Sequence, residues 1–351
     1  MKSHQIPDMT NVVITGAAGF IGATLSKHLA QKGHHVFACD WANAQGYTPL
    51  DYSQNELAVR LRRGRLAHLL NDPMIRYECM DITQHGALLE YVRHCRPKAV
   101  IHLAAQAGVR HSVQAPLDFA GPNLLGFVQV LDACRLAQIP RFLYASSSSV
   151  YGSRNDAPFR ETDTVGRPQS FYAATKLANE AMAYAYHVQY GTASLGMRFF
   201  TVYGPWGRPD MAPLMFARKI RDGESLVLFS QGELERDFTY VDDTVAAIDR
   251  LLHHHDIHHG AQIINVGHQK PVQVKKFVEI LSRLMGKAPR LNFASMQKGD
   301  VALTCASEEK LLSLIEEWPC TPLETGLRNM VDWLREWEAS ESANVTNHSS
   351  I

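Results

Sequence analysis

The feature that most constrains the fold is a glycine-rich loop placed between a strand-like run and a helix-like segment. The apolar run Val12–Thr15 leads directly into Gly16-Ala17-Ala18-Gly19-Phe20-Ile21-Gly22. Glycines here let the backbone approach a pyrophosphate, and the N-terminus of the following helix attracts its negative charge. A structural turn without a ligand is the alternative. The order strand, loop, helix favours a dinucleotide site with contacts from Gly16, Gly19, Phe20, Ile21 and Gly22.

The first half of the chain alternates short apolar runs with helix-like stretches. The runs are Val12–Thr15, His35–Cys39, Ile75–Cys79, Ala99–Leu103 and Phe142–Ser146. Such alternation is typical of an α/β protein with a Rossmann-type, doubly wound parallel sheet and helices on both faces.

The pattern also suggests a division of the chain into regions. We expect an NAD-binding Rossmann domain over residues 1–198 and a smaller C-terminal α/β substrate-binding region over residues 199–338. Elements within 238–268 are expected to return to the main sheet. Residues 41–71 interrupt the first half and contain a basic helical piece, Glu56–Leu70. The polar tail, residues 339–351, is expected to be disordered.

The second strand ends at Asp40, a position from which a carboxylate can bind the hydroxyls of an adenosine ribose. Trp41 follows, without an adjacent Arg or Lys. The Asp40 carboxylate would therefore repel a 2′-phosphate. These residues favour NAD over NADP. The ends of the third and fourth strands face the same crevice in such folds, with core packing as the alternative reading. The candidate contacts there are Asp81, Ile82, Leu103, Ala104 and Ala105.

A Tyr-x-x-x-Lys pair and an upstream serine run predict the catalytic groups. Tyr172 and Lys176 are four residues apart, which places them on one face of a helix. A phenol is a weak base near neutral pH, and a nearby ammonium together with an oxidised nicotinamide would favour its ionised form. Ser147 lies in a serine run at the end of the fifth strand and can donate or relay a hydrogen bond to a substrate hydroxyl. We therefore predict Tyr172, Lys176 and Ser147 as catalytic residues, with Tyr172 and Lys176 also contacting the cofactor.

Charge and cysteine usage exclude several other classes of protein. The 351 residues contain 35 Lys plus Arg and 35 Asp plus Glu, which gives no support to nucleic-acid or anionic-membrane binding. No signal-like stretch or membrane-length apolar run is present in the sequence. The six cysteines are scattered, as expected for a cytoplasmic protein without disulfides. The histidine-rich run 253–259 is read as a solvated helix end, and no metal site is predicted.

Six motifs together carry a closer resemblance. TGAAGFIG, HLAAQAGVR, YASSSSVYG, SFYAATK, RFFTVYGPWGRPDMA and RDFTYVDD occur in this order. The chain resembles the UDP-glucuronate 4-epimerases of the extended short-chain dehydrogenase/reductase type, from about Asn11 to Trp337. The glycine loop, serine run and Tyr-x-x-x-Lys pair are common to the extended superfamily, whereas HLAAQAGVR and RFFTVYGPWGRPDMA point to the uronate enzymes.

The resemblance implies a mechanism and a set of substrate contacts. Tyr172 would remove the proton of the sugar 4-hydroxyl while NAD takes hydride from C4, and the 4-keto sugar would take the hydride back on its other face. The cofactor would remain bound between turnovers. A homodimer is implied through helices near 123–137 and 171–190. The implied substrate-binding residues are Ser147, Ser148, Ser149, Thr201 and Arg208 for the sugar, Arg236 for the diphosphate, Asn123 for framing and Asp300 near the uridine ribose.

Several alternatives share the scaffold. A UDP-glucuronate decarboxylase or a 4,6-dehydratase would be expected to carry an acidic residue before Val-Tyr-Gly, where this chain has Ser148 and Ser149. A UDP-galactose 4-epimerase suits Thr201 and Arg208 less well, and a non-catalytic NAD-binding sensor would not need the catalytic residues. One departure from the family is the stretch Trp41–Ser53, which lacks the usual Asn- and Tyr-rich pattern after the ribose-binding acid.

Overall fold

The computed structural model describes residues 10–48, 56–154, 156–254, 259–296 and 300–348, with side chains described as far as residue 341. Within these ranges, no helix is both long enough and apolar enough to cross a lipid bilayer. The strands are β1 (Asn11–Thr15), β2 (His35–Asp40), β3 (Ile75–Cys79), β4 (Ala99–His102), β5 (Phe142–Ser147), β6 (Ser194–Phe199), β7 (Thr201–Tyr203), β8 (Ser225–Phe229), β9 (Glu235–Tyr240), β10 (Ala261–Val266), β11 (Pro271–Gln273) and β12 (Arg290–Ala294).

The helices are α1 (Phe20–Gln31), α2 (Glu56–Leu70), α3 (Ala87–Cys95), α4 (Val109–Gln114), α5 (Leu117–Ala120), α6 (Gly126–Leu136), α7 (Phe171–Tyr190), α8 (Ala212–Asp222), α9 (Val241–His253), α10 (Val274–Met285), α11 (Glu309–Ile315) and α12 (Leu323–His348). A π-helical turn at Gly121–Leu125 precedes α6, and a 3-10 turn at Ser148–Tyr151 follows β5.

Seven strands form one parallel sheet in the order β10-β6-β5-β4-β1-β2-β3. Successive residues of a strand point to opposite faces, so Val12 and Ile14 enter the core that contains α1 and α9, whereas Val13 enters the core that contains α3 and α6. Burial on both faces explains why the inner strands are continuous apolar runs. The predicted Rossmann-type α/β fold is confirmed.

The later part of the chain adds two smaller sheets. One has three strands in the order β11-β9-β7, and the other pairs β12 with β8. Two elements of this part of the chain join the large sheet's layers: β10 forms its edge by pairing with β6, and α9 packs against α1. Of the segment 238–268, the helix and the second strand thus belong to the large sheet's layers, while β9 belongs to the three-stranded sheet.

The prediction of a disordered tail from residue 339 is wrong as far as residue 348. Helix α12 continues to His348, because Trp337 stacks on Trp333 and Glu341 accepts a hydrogen bond from the Arg60 guanidinium at 2.8 Å. Tertiary contacts of this kind stabilise a helix whose polar composition alone does not. Residues 349–351 lie outside the described residues.

Candidate active site

The glycine loop forms a tight turn between β1 and α1. Gly16 has a φ of 76°, and a Cβ there would lie 2.5 Å from the backbone nitrogen of Ala104 on the neighbouring strand end. A Cβ at Gly22 would overlap the carbonyl oxygen of Gly16. Gly19 caps α1 without a side-chain hydrogen bond, so the first backbone N–H groups of the helix face the loop. This arrangement fits the pyrophosphate of a dinucleotide.

Asp40 lies at the end of β2, directly beside the loop. Its Oδ2 accepts a hydrogen bond from the backbone N–H of Ala18 at 2.9 Å. Burial raises the pKa of the carboxyl, although the Ala18 N–H and the charge of Arg62 act to lower it. Asp40 therefore fixes the loop to the second strand, at the place where the ribose of a dinucleotide is expected.

The remaining candidates on the cofactor side fall into two groups. Leu103 and Ala105 line the cavity described below, as do the loop residues Gly16, Gly19, Phe20, Ile21 and Gly22. Ala104 packs with the opposite core, Ile82 is buried against Gly126, and Asp81 accepts hydrogen bonds from Thr83. These three do not line the cavity, so their contacts support the crevice from behind.

A cavity of about 790 Å³ extends from the glycine loop across the ends of the parallel strands to the smaller sheets. Its lining includes almost every residue predicted for catalysis and for binding the substrate. These residues are Ser147, Ser148, Ser149, Tyr172, Lys176, Thr201, Arg208, Arg236 and Asp300.

Helix α7 positions the Tyr-x-x-x-Lys pair. Ser170 caps its first turn by accepting a hydrogen bond from the Ala173 N–H at 3.1 Å, and Gly191 ends it with a φ of 72°. Lys176 is 3% exposed and donates to the carbonyl oxygen of Ala145 at 2.8 Å, while its ammonium lies 5.9 Å from the centre of the Tyr172 ring. Ser147, at the end of β5, accepts hydrogen bonds from the N–H and the hydroxyl of Ser149.

The electrostatics of this pair differ from the expectation drawn from the sequence. Burial raises the pKa of the Tyr172 phenol, and the hydrogen-bonding Ser147 hydroxyl and the charge of Arg208 offset this only in part. Burial lowers the pKa of Lys176 to about 8, while Glu180 acts to raise it. The side chains of this chain alone therefore favour the protonated phenol, because burial outweighs the groups that stabilise the phenolate.

A buried ion pair lies beneath Lys176. Arg198 on β6 donates two hydrogen bonds to the Glu180 carboxylate, at 2.9 and 2.7 Å, and the Ser146 hydroxyl donates a third at 2.5 Å. The side chains of Arg198 and Glu180 are only 3% and 8% exposed. A paired and hydrogen-bonded carboxylate is the form in which a charge is tolerated at such depth.

The sugar end of the cavity combines neutral donors with a partly balanced cation. Thr201 follows β6, beside the serine run at the end of β5. Arg208 donates to both oxygens of Asp210, at 3.0 and 2.6 Å, and to the carbonyl oxygen of Ala107 at 2.9 Å. Because Asp210 partly balances its charge, Arg208 adds a planar donor group with a reduced excess of positive charge.

Sequence reasoning missed Arg110, a second cation at the other end of the cavity. Its guanidinium lies 3.3 Å from Asp300 and 4.9 Å from the centre of the Phe229 ring. Arg236 lies in the same region and donates to the carbonyl oxygens of Glu235 and Ala302. Arg110 ends the motif HLAAQAGVR, which already pointed to the uronate enzymes, so its place in that motif was the available signal.

Asn123 does not line the cavity, contrary to its implied role in framing the substrate. Its amide exchanges hydrogen bonds with the backbone of Gln106 at 2.7 and 2.9 Å and donates to Thr175 at 3.0 Å. The side chain is 2% exposed. Asn123 therefore fixes the Ala105–Ala107 loop and α7 to each other, because its hydrogen-bonding groups are used within the protein.

Helix α2, from the atypical segment 41–71, joins the two ends of the site. Arg65 donates to the carbonyl oxygen of Ala18 in the glycine loop at 3.1 Å and to those of Trp206 and Gly207 in the loop that carries Arg208. Trp206 has a φ of 62°, and a Cβ at Gly64 would collide with its ring. Residues 49–55 of the segment lie outside the described residues.

Comparison with known proteins agrees with this site. Residues 12–267 match the NAD dependent epimerase/dehydratase family. The probable UDP-glucuronate 4-epimerase of Rhizobium meliloti (strain 1021) is 35% identical over 337 residues, covering 92% of this chain and 96% of that protein. UDP-glucuronate 4-epimerase 3 of Arabidopsis thaliana is 38% identical over 339 residues, covering 92% of this chain and 76% of that protein.

A solved structure is similar to this chain over nearly its whole length. The crystal structure of UDP-glucuronic acid 4-epimerase from Bacillus cereus in complex with UDP-glucuronic acid and NAD aligns with a TM-score of 0.83 at 28% identity, over 93% of this chain and 99% of that one. The resemblance drawn from the six motifs is confirmed. This chain belongs to the NAD dependent epimerase/dehydratase family.

Proposed function

We propose that this protein is a UDP-glucuronate 4-epimerase that interconverts UDP-glucuronate and UDP-galacturonate with bound NAD. The observation that carries the proposal is one cavity that joins a dinucleotide loop to Tyr172, Ser147 and a sugar end with neutral donors. The names of the relatives and the ligands of the Bacillus cereus structure support the same substrate and cofactor.

In this proposal the glycine loop and Asp40 hold the dinucleotide, and Tyr172 transfers the proton of the sugar 4-hydroxyl. When bound, oxidised NAD supplies a reversible hydride acceptor for C4 and a positive ring charge. Tyr172 takes the hydroxyl proton in the first half of the turnover and returns it in the second. Ser147 hydrogen bonds to the same hydroxyl, and Lys176 keeps a positive charge behind the phenol.

Holding the sugar carboxylate is the special requirement of this substrate. Oxidation at C4 produces a β-keto acid, which loses CO₂ readily when its carboxylate turns out of the plane of the sugar. Thr201 and the serines 147–149 offer neutral donors that fix the orientation of the group. Arg208, partly balanced by Asp210, adds donors with a reduced excess of positive charge.

The acids of the cavity argue against the alternatives. Among the described residues that line it, the carboxylates are Asp210 and Asp300, and each is paired with an arginine. A 4,6-dehydratase or a decarboxylase with an acid beside the serine run would need an unpaired carboxyl there. A non-catalytic sensor does not require the arrangement of Tyr172, Lys176 and Ser147.

At the other end of the cavity, Arg236 and Arg110 are proposed to bind the diphosphate. Guanidinium groups match phosphate oxygens in charge and geometry. Burial lowers the pKa of Arg236, while Asp300 acts to raise it. Asp300 would then accept from the uridine ribose while orienting Arg110.

We also propose an assembly state and a location, with support from the surface and from the thiols. A homodimer through α6 and α7 is supported by exposed apolar side chains on them, with Tyr184 62%, Val188 59% and Leu136 43% exposed. A monomeric mass by sedimentation equilibrium would exclude it. All six cysteines are free, which supports a cytoplasmic location.

The deciding experiment follows UDP-glucuronate with the purified protein by ¹H NMR, without added NAD, while released CO₂ is measured. We expect UDP-galacturonate from the parent protein. Thr201→Ala should slow epimerisation and raise the share of turnovers that end as a decarboxylated 4-keto pentose. Thr164→Ala, an exposed position outside the cavity, is the matched control.

Two results would contradict the proposal. If the parent protein converts UDP-galactose in preference to UDP-glucuronate, the uronate assignment is wrong. If Thr201→Ala matches Thr164→Ala in both rate and product ratio, Thr201 does not hold the carboxylate.

A further inference from the structure

A cluster of histidines around one carboxylate lies beyond the C-terminal end of α1, whereas the glycine loop precedes the N-terminal end of that helix. His34 follows α1, Asp249 lies in the last turns of α9, and His253 ends that helix. One ligand atom from each of these three side chains lies within 4.8 Å of the other two. None of the three lines the cavity of the proposed active site.

His34 has the form that metal ions bind. It is 1% exposed, and its Nδ1 is hydrogen bonded to the Thr10 hydroxyl at 2.9 Å. Its Nε2 is buried and has no hydrogen-bond partner among the described residues. Burial, followed by the charge of His253, lowers the pKa of His34, which keeps the imidazole neutral. In the tautomer that carries its proton on Nδ1, the ring directs an unused lone pair from Nε2 into the cluster.

Asp249 supplies the anionic ligand. Its carboxylate lies 2.8 Å from Nε2 of His28 and 3.3 Å from Nδ1 of His253. Burial acts to raise its pKa, but the hydrogen bonds of His253 and His28 lower it, so the group is ionised. Each carboxylate oxygen has two lone pairs, which leaves room for a metal beside these contacts.

His253 is held in a matching orientation. Its Nδ1 lies 2.7 Å from the backbone carbonyl oxygen of Asp249, so this nitrogen carries a proton and donates. In its neutral form the ring has its lone pair on Nε2; the hydrogen bond to Asp249 raises the pKa of His253 and favours the protonated ring, so a bound metal must displace that proton. The ring centre of His253 lies 5.3 Å from that of His34. Histidine ligands of metals characteristically donate their other N–H to a carbonyl or hydroxyl; Nδ1 of His253 does so here, and Nδ1 of His34 can donate to the Thr10 hydroxyl.

We propose that His34, Asp249 and His253 bind a divalent transition-metal ion, with Zn²⁺ the best match to two imidazoles and a carboxylate. Ligand atoms of a tetrahedral zinc site lie about 3.3 Å apart at Zn–N distances of about 2.05 Å, so the three groups must close by about 1.5 Å or less. His28 hydrogen bonds to the carboxylate and orients it. The ion joins the end of α9, just before the edge strand β10, to the connection between α1 and β2.

The local sequence could not indicate this site. The carboxylate within the run 253–259 is Asp256, which the proposed site does not use. His34 is 219 residues from His253 in the sequence. Residues 255–258 lie outside the described residues, and the proposal uses none of them. The charge of Arg141 acts on His253 and opposes a cation. We therefore expect a Kd on the order of 1 µM, weaker than that of four-ligand structural zinc sites.

The test uses the untagged full chain, treated with EDTA and then freed of it. Zn²⁺ is titrated in competition with a chromophoric chelator, and thermal unfolding is recorded with and without the ion. We expect one equivalent of Zn²⁺ per chain and a higher Tm with Zn²⁺. His34→Gln and Asp249→Asn should each raise Kd by at least ~100-fold and abolish the Tm shift. His35→Gln, an exposed neighbour, is the matched control and should change neither.

The variants also separate this site from the histidine run. If His34→Gln proves unstable, the exposed His253→Gln tests the same ligand set. Zn²⁺ binding that survives in both Asp249→Asn and His34→Gln would place the ion on surface histidines and overturn the proposal, as would the absence of a stoichiometric site in the parent. Epimerase turnover of the EDTA-treated protein should equal that of the Zn²⁺-loaded protein, because the cluster lies outside the cavity.

Discussion

Replacing Arg65 by alanine should damage both the stability of the protein and the geometry of its site. Arg65 is 5% exposed and donates four hydrogen bonds to three carbonyl oxygens, those of Ala18, Trp206 and Gly207. The first belongs to the cofactor loop and the other two to the loop that carries Arg208. One side chain thus connects the two ends of the cavity.

The expected cost follows from these contacts. A hydrogen bond to a charged group contributes about 1.5–3 kcal/mol, and a buried acceptor left unpaired costs about 1–3 kcal/mol. Removing a desolvated guanidinium returns part of this, because the folded protein no longer keeps that charge away from water. We expect a net loss of about 3 kcal/mol. With an unfolding entropy of ~2.1 cal/mol/K per residue, that corresponds to a fall in Tm of about 4 °C.

The assay combines thermal unfolding with the NAD content of the purified protein and kcat/KM for UDP-glucuronate. A displacement of about 1 Å in a positioning loop can cost a large factor in rate, so we expect kcat/KM to fall at least ~10-fold and the NAD content to decrease. Arg63→Ala is the matched control: it lies on the same helix, its side chain is 52% exposed, and among the described residues it pairs with Glu341 at 3.5 Å. If Arg65→Ala and Arg63→Ala give the same Tm, NAD content and kcat/KM, the coupling assigned to Arg65 does not exist.

Two further substitutions test the proposed chemistry. Tyr172→Phe removes only the ionisable oxygen, so NAD content and Tm should be retained while turnover falls by about 10² or more; turnover within a few-fold of the parent would show that another group moves the proton. Asp40→Ala removes both the proposed ribose contact and the hydrogen bond to the Ala18 N–H, so NAD content should fall; tighter binding of NADP than NAD by the parent would refute the role given to Asp40.

Local patterns were sufficient to predict much of the fold and of the catalytic pair. Three motifs were predicted in this way: the glycine loop, the serine run around Ser147, and the pair Tyr172 and Lys176. Within each motif the residues are only a few positions apart in sequence, and a strand or helix beside them orients them. Helix α2 matches the predicted piece Glu56–Leu70 for the same reason. Short-range spacing fixes which face of an element a residue occupies.

What the sequence did not reveal depends on contacts between distant residues. Arg65 meets Trp206 across 141 positions, and Arg110 meets Asp300 across 190. Asn123 was expected beside the substrate, but its amide is used by Gln106 and Thr175. Such roles follow from which polar groups are left unpaired once the chain is folded, and a single sequence does not contain that information.

The stripe Tyr172, Lys176 and Glu180 shows how burial sets the resting state of the proposed catalytic groups. These residues lie four apart on α7, hence on one face. Glu180, held by Arg198, opposes the burial that lowers the pKa of Lys176 to about 8. One pH unit below that value, Lys176 is an ammonium in about ten molecules for every neutral one.

For Tyr172 burial acts on the pKa in the opposite direction: it raises the pKa of the phenol and so favours the protonated form. The resting pair is therefore an ammonium and a neutral phenol, which is the acid form of the proposed catalyst. The first half of an epimerisation needs the base form and the second half needs the acid form. The side chains of the stripe favour the acid form. Formation of the base form of Tyr172 therefore depends on the positive ring charge that oxidised NAD would supply when bound. Tyr172 should then ionise only in the loaded site, by releasing its phenol proton to solvent, and the resulting phenolate can take the proton of the sugar hydroxyl and return it in the second half.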